Sequence, residues 1–332
     1  MPHKFFRQQR FNLSIDSSMG KFTVIGMVCL LVFAATLILV DSQLNINNNS
    51  QQPSNGSHEP QNGGTSGFVA LQVEGYVVDD FWERGSNDLP AFNVAINYVV
   101  ENVGNTSADV VSIEITLDSA YYSTEAVYNL SPNSTFTDTF SVSVEYDQAK
   151  TVGIKANCGN ATASWSYIVD AELPRQPSWS VSKLFVTPNE YYVQSTYKKI
   201  MSGIVFVHWI AIRDWVGKNV KYVDDYDSYS VGEFWQLGKE TLERRTGDCE
   251  DFAILLCSLL RADGWSAEEV YVVIGQNEVG DYHAWVKIKI PFVGWYNIEP
   301  QLNGWNTLFG DFIALNGYTA VYNFNDQYFI GL

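Results

Sequence analysis

Arg244–Trp265 reads RRTGDCEDFAILLCSLLRADGW, and the fold of the second half of the chain turns on it. Gly247 permits a tight turn, Asp248 is a good N-cap, Glu250 and Asp251 suit a first helical turn, and Gly264 is a good terminator. These signals predict a helix from about Cys249 to Asp263. Its interior, FAILLCSLL, is apolar on nearly every side, so the helix is expected to be buried all round. Cys249 then sits at the first turn, where unpaired backbone N–H groups and the positive end of the dipole favour a thiolate and can donate to an oxyanion. Glu250 and Asp251 oppose that thiolate and are expected to point away from it. Cys257, mid-helix in an apolar run, reads as core.

A thiolate needs a proton acceptor, and the chain has four histidines. His3 and His58 fall in the N-terminal tail and a polar stretch, and His208 lies within IVFVHWIAI, where a core histidine is the first reading. His283 remains by elimination. In DYHAWVKIKI (281–290), strand alternation puts Tyr282, Ala284, Val286, Ile288 and Ile290 on a core face. His283, Trp285, Lys287 and Lys289 fall on the other face, open to a cleft. In GWYNIEP (294–300), Trp295, Asn297 and Glu299 share a face. An adjacent antiparallel strand can thus bring the Glu299 carboxylate to the imidazole, to fix its tautomer and stabilise the imidazolium. An exposed strand-end charge is the alternative reading of Glu299.

GDCEDFA at a helix start, YHAWV on a strand and WYNIEP on the next, in that order, resemble the transglutaminase-like superfamily. RDWVGKNVKYVDDYD (213–227) and FWQLGKETLERRTGDCED (234–251) look like its microbial cysteine peptidase branch. The resemblance covers about residues 200 to 300. It implies an α+β, papain/transglutaminase-like domain, with Cys249 as nucleophile, His283 as general base and Glu299 as third member. The family more often has Asp at the last position; Glu is one methylene longer.

Trp235 and Gln236 precede the nucleophile closely. Each is read either as ordinary packing or as a cleft wall or oxyanion donor, and Trp285, on the face of His283, is a further cleft candidate. The run Asp224, Asp225, Asp227 reads as a solvated loop, because no Gly and no downstream bidentate Glu complete a calcium loop. No ligand pair among Cys249, His283 and Glu299 has short zinc spacing. No metal and no organic cofactor is expected.

Working outward toward the N-terminus, residues 68–170 carry short alternating segments such as FNVAINYVVENVG, DVVSIEITLD and STFTDTFSVSVEY, parted by Gly, Asn and Pro. They predict an all-β antiparallel sandwich that resembles immunoglobulin-like or adhesion-type surface modules. No groove or site is legible in it. A Pro-containing segment, ELPRQPSW, leads into the α+β domain, 171–332, whose apolar residues recur at helical spacing from Tyr191 to Val216. Before the sandwich, residues 41–67 are almost wholly Asn, Gln, Ser, Gly and Pro, the composition of a flexible stalk. Residues 22–40, FTVIGMVCLLVFAATLILV, predict one transmembrane helix. Lys4, Arg7, Arg10 and Lys21 put residues 1–21 in the cytoplasm and the rest outside. Sequons at Asn48, Asn55, Asn105, Asn129, Asn133 and Asn160 all precede residue 171, as on a decorated stalk and sandwich.

A net charge of −17 excludes the clustered Lys and Arg of a nucleic-acid binder. Four cysteines, Cys29, Cys158, Cys249 and Cys257, far apart except for the last two, write neither a disulfide scaffold nor a CxxC metal site. The expected function is therefore that of a membrane-anchored extracytoplasmic thiol enzyme acting on protein or peptide amides at the cell surface. Hydrolysis is expected over crosslinking, since the catalytic domain is small and no domain follows it; a crosslinking transglutaminase and a non-catalytic surface adhesin are the alternatives.

Overall fold

The computed structural model describes residues 67–332 except 178, 203–206, 303–310 and 312–313. The predicted cytoplasmic tail, membrane span and stalk lie outside the described residues. Among the described residues no helix is long and apolar enough to cross a membrane.

Seven strands come first: β1 (Leu71–Arg84), β2 (Pro90–Asn102), β3 (Ala108–Leu117), β4 (Ala120–Leu130), β5 (Thr135–Glu145), β6 (Ala149–Cys158) and β7 (Ala161–Asp170). They form two antiparallel sheets, ordered β1-β2-β5 and β4-β3-β6-β7. Alternation decides what is enclosed. Tyr98 and Val100 of β2 pack with Val111, Ile113 and Ile154, and Ile96 packs with Val142 and Val152, all buried, while the intervening residues turn outward. One feature was absent from the sequence reading: a shallow open groove of about 500 Å³ on the outer face of the second sheet, lined by Glu114, Thr116, Gly153, Lys155 and Trp165 among others. The register explains it, since Glu114, Lys155 and Ser164 stand in one row and Thr116, Gly153 and Ser166 in the next, with no side chain on the glycine.

The second part is α+β. Short elements α1 (Trp179–Ser182) and a 3₁₀ turn (Lys183–Phe185) lead to α2 (Tyr191–Met201) and α3 (His208–Asn219), so the helical stretch beginning at Tyr191 is two helices. β8 (Lys221–Tyr222), α4 (Asp225–Tyr229), α5 (Gly238–Arg244) and β9 (Thr246–Gly247) precede α6 (Cys249–Ala262). The strands β10 (Val270–Gln276), β11 (Tyr282–Ile290), β12 (Gly294–Ile298), β13 (Thr319–Phe324) and β14 (Phe329–Gly331) follow, in the sheet order β12-β11-β10-β13-β14. α6 is buried from Cys249 to Leu260 between this sheet and helices α2, α3 and α5. Its apolar interior matches that position, since Ile254, Leu255, Leu256, Cys257 and Leu259 share one core with Val272, Val286 and Ile288.

The sandwich docks onto this domain through the end that carries the β1–β2 turn. Leu89 joins the core of this α+β domain, with Trp82 and Tyr146 packed against it. Buried Asp88 accepts from Asn189 N–H at 2.7 Å, and Arg84 donates to Lys183 O at 2.7 Å. Arg175 bridges Asp147 of the sandwich to Glu240 of α5, donating to both Glu240 carboxylate oxygens.

Candidate active site

The head of α6 is built from the chain upward. Asp248, in extended conformation, caps the helix, and its own N–H donates to Asp251 Oδ2 at 3.3 Å in a capping box. The close return of Asp251 is why residue 247 is glycine: a Cβ there would lie 2.6 Å from the Asp251 side chain. Cys249 is thus the first residue of the helix, and it is buried.

Two of the three expected residues meet directly. His283, on β11 with its side chain 17% exposed, has Nε2 2.6 Å from Glu299 Oε2. Glu299 lies just past the end of β12 and is buried; its Oε1 accepts from Gln301 N–H at 3.1 Å. The register brings this about, since Val286 pairs with Ile298 and the strands part beyond that point. The extra methylene of Glu over Asp does not prevent the bond. Cys249 reaches the same place by way of the neighbouring residue, because Ala284 N–H donates to its Sγ. In this structure the thiol bonds to Glu250 Oε2, at 3.3 Å, and not to the imidazole.

That contact corrects the expectation for the first turn. Asp251 does point away, toward Gln236, but Glu250 turns toward Sγ. Nor does the helix dipole leave a ready thiolate. Burial pushes the Cys249 thiol well up, the charges of Asp248 and Glu233 push it further, and the bonds from Glu250 and Ala284 only partly oppose them. Glu250 and Asp251 are raised well above the usual carboxylate range, by burial first and then by Asp248. Burial and Asp248 push Glu233 up to about 7. A Glu250 that keeps its proton can donate to a thiolate instead of repelling it.

The cleft candidates divide. Trp285 is buried beside His283, its ring 6.4 Å away and its Nε1 donating to Asn297 Oδ1 at 3.1 Å. Gly275, paired with His283, makes room for it: a Cβ there would stand 2.3 Å from the Trp285 ring. Trp235 is core, stacked on Phe324 at 5.5 Å, and its indole N–H goes to Glu233 Oε1 at 2.7 Å. Gln236 is also buried; its backbone N–H donates to Asp251 Oδ1 at 2.7 Å and its side-chain amide to Thr246 O at 3.1 Å. Gln236 spends its donors on the support of the α6 N-terminus, and Trp235 spends its own on Glu233 and, through its backbone N–H, on Arg175 O, which takes both out of the oxyanion role. Tyr318, absent from the sequence reading, has its ring 5.2 Å from His283 and completes an aromatic wall with Trp285. It follows α6 by more than fifty residues and belongs to no motif, so nothing local could mark it.

Two further expectations change. His208 is not a core histidine; it begins α3, is 43% exposed at its side chain, and has Nδ1 2.8 Å from Asp263 Oδ1. Asp225 is not in a solvated loop; it is buried at the start of α4, with Oδ2 accepting from Phe234 N–H. Ligand atoms of Asp225, Asp248 and Asp251 lie within 4.8 Å of one another, as do those of Asp248, Cys249 and Glu250. Carboxylate oxygens in such sets suit a hard divalent cation, and protonation is the other way to neutralise them.

The fold and site define an α+β domain with a buried cysteine heading its central helix and a His–Glu pair on the adjoining sheet. Residues 208–300 match the Transglutaminase-like superfamily, and this part of the chain is a transglutaminase-like domain. No curated protein matches the chain. Similar solved structures include LapG of Legionella pneumophila, at 14% identity over 48% of this chain and 88% of that one, TM-score 0.34. A candidate cysteine protease of Cytophaga hutchinsonii is 15% identical over 75% and 83%, TM-score 0.31. The CARDB domain of the PF1109 protein of Pyrococcus furiosus is 12% identical over 30% and 90%, TM-score 0.22. With TM-scores below 0.5, these likenesses add no weight to the family match.

Proposed function

We propose that the chain is a cysteine peptidase or amidase in which Cys249, His283 and Glu299 act as a triad on protein or peptide amides. The observation that carries this reading is the 2.6 Å bond from His283 Nε2 to Glu299 Oε2, beside a buried thiol that takes the N–H of the next residue, Ala284. With the Nε2 proton held by Glu299, Nδ1 keeps its lone pair and is the base.

The thiol swings from Glu250 to the imidazole and gives its proton to Nδ1. The thiolate attacks the amide carbonyl, and the oxyanion is met by the N–H groups of Cys249 and Glu250 at the head of α6. The imidazolium returns the proton to the leaving amine as the C–N bond breaks, leaving a thioester. His283 then takes a proton from water, hydroxide adds to the thioester, and the acid departs as Sγ regains its proton. Water needs no built acceptor slot, whereas transfer to a second amine needs one that excludes water; hydrolysis is therefore preferred. The apolar run 22–40, the basic residues before it and the polar stretch after it support a single-pass anchor with the catalytic domain outside the cell. The sequons support glycosylation of the stalk and sandwich.

The test incubates wild type and Cys249→Ala with a glutamine-containing protein and a labelled amine, reading free carboxylate, cleaved peptide and incorporated amine by mass spectrometry. Hydrolysis by wild type alone is expected. Amine incorporation outpacing hydrolysis would make the chain a crosslinker, and full turnover by Cys249→Ala would remove the triad. For the topology, protease added to intact cells should release the catalytic domain; protection of residues beyond 170 would overturn it.

A further inference from the structure

Behind Glu299 lies a buried ion pair that the mechanism above does not use. Arg213, on α3, is fully buried, and its Nη1 donates to both oxygens of Asp311, at 3.0 and 3.2 Å. Asp311 is itself buried. Its Oδ1 accepts the backbone N–H of Glu299 at 3.0 Å, and its Oδ2 accepts the Tyr296 hydroxyl at 2.6 Å. Trp209 encloses the group from α3, its ring 5.6 Å from that of Tyr296 and 6.0 Å from the guanidinium carbon.

A buried ion pair is a poor way to gain stability, because the cost of desolvating both charges offsets most of their attraction. Its position suggests a different use. Sheet pairing of β12 ends at Ile298, one residue before the carboxylate that holds the imidazole. At that point the ladder no longer fixes the backbone, and the Asp311 carboxylate takes over the next N–H. Arg213 in turn fixes Asp311 and balances its charge, so that the carboxylate can sit there without repelling Glu299.

We propose that Asp311 and Arg213 are positioning residues for the third triad member: the pair holds Glu299 at the strand end and so keeps His283 oriented toward Cys249. The inference rests on the triad reading, and its test is chosen to be independent of turnover. Orientation errors of about an ångström are enough to cost roughly a hundredfold in a catalytic step, so a device of this kind is in proportion to its task.

The experiment measures alkylation of Cys249 by iodoacetamide across pH in the full chain, by mass spectrometry, relative to Cys158 as internal reference. Removing one charge alone would leave the other buried, so both are removed together. Arg213→Met/Asp311→Leu deletes the pair and the acceptor; Arg213→Met/Asp311→Asn deletes the charges and keeps an oxygen for the Glu299 N–H. Should leucine not give a cooperative thermal melt, Asp311→Ala takes its place. In the acceptor-less variant, relative alkylation of Cys249 near neutral pH should fall at least about tenfold, as expected when base assistance is lost. Its pH profile should move to that of Glu299→Ala. The Asn version and Tyr296→Phe should stay within about threefold of wild type, which a merely structural role for the cluster would not predict. Wild-type alkylation in the folded acceptor-less variant would overturn the proposal, as would a loss fully additive with Glu299→Ala. Iodoacetamide needs no amide substrate. A dependence on the pair without any amide turnover would therefore retain the positioning device and reject the proposed function.

Discussion

The sandwich and the transglutaminase-like domain bury different kinds of atoms. Between residues 67 and 170 the buried polar side chains are Asp88 and Asn102, and both are tied to backbone, Asp88 by Asn189 N–H and Asn102 by bonds to Thr106 O and Leu130 O. From residue 171 onward the buried set includes Glu190, Arg213, Asp225, Asp248, Glu250, Asp251, Glu299 and Asp311. Burying carboxylates is costly, and a fold that needed only stability would replace them with apolar groups. The sandwich follows that rule except at Asp88, whose carboxylate meets the second domain. Apart from Glu190, which caps α2, the second domain departs from it at the head of α6 and at the end of β12, the two places where the proposed chemistry is sited.

The largest expected break in this contrast is a single charge. Arg213→Ala leaves Asp311 buried without its cation and should cost about 3 to 5 kcal/mol of stability. Reaching that figure in the sandwich takes deletion of a whole apolar side chain, as in Ile113→Ala, at about 2 to 5 kcal/mol. Denaturant titration of both variants checks the ranking. An Arg213→Ala cost below that of a surface substitution would mean that the pair is not enclosed as described.

Next in size is pH. Glu233, Glu250 and Asp251 are all raised in the folded state, Glu233 to about 7 against an ordinary 4.5. A folded pKa above the unfolded one means that the native state holds more protons in between. The stabilisation is complete below the unfolded value and is lost as pH rises through the folded one. Thermal melts should therefore show Tm falling from about pH 4.5 toward pH 7 and beyond, opposite in sense to ordinary acid denaturation. Glu233→Gln should flatten the slope in the first part of that range. A Tm that climbs steadily over the same interval in wild type would show that these carboxylates are ionised in the native state.

How far the sequence could be read follows the same division. Alternation in β2, β3 and β11 and the cap signals at Asp248 depend on neighbours a few residues apart, and the elements they predict are present. The His283–Glu299 contact was readable too, since two strands joined by a short turn must pair. What was not readable depends on distant packing. Glu250 turns to the thiol in surroundings made acidic by Asp248 and by Glu233, which comes from outside the helix. Asp311 meets Arg213 across 98 positions. The one local sign was an arginine inside the apolar run WIAIRDWV, a charge on a face that otherwise reads as core. His208 failed for the opposite reason: apolar neighbours suggested burial, but the helix begins at that residue and leaves its ring at the exposed end.

The smallest expected effect on stability sharpens the contrast within α6 itself. Cys257 is fully enclosed among apolar side chains, and Cys257→Ala should cost about 1 to 2 kcal/mol through lost contacts and a small void, with alkylation of Cys249 unchanged. Cys249 is also buried, at the edge of the same core, yet polar groups adjoin it: Glu250 on one side, the Ala284 N–H on another, and Asp248 and Glu233 near enough to raise it. Truncation there removes a thiol from the edge of the core, with fewer apolar contacts than at Cys257, so Cys249→Ala should cost less than Cys257→Ala, about 1 kcal/mol or below. Helix propensity favours the alanine slightly, which offsets part of even that. Reactivity should respond in the reverse order, with labelling and turnover lost in Cys249→Ala and kept in Cys257→Ala. Parallel denaturant titrations and iodoacetamide labelling read both quantities on the same samples. A Cys249→Ala penalty as large as that of Cys257→Ala would mean that the thiol at the head of α6 is held for packing, and the buried acids around it would then need another explanation.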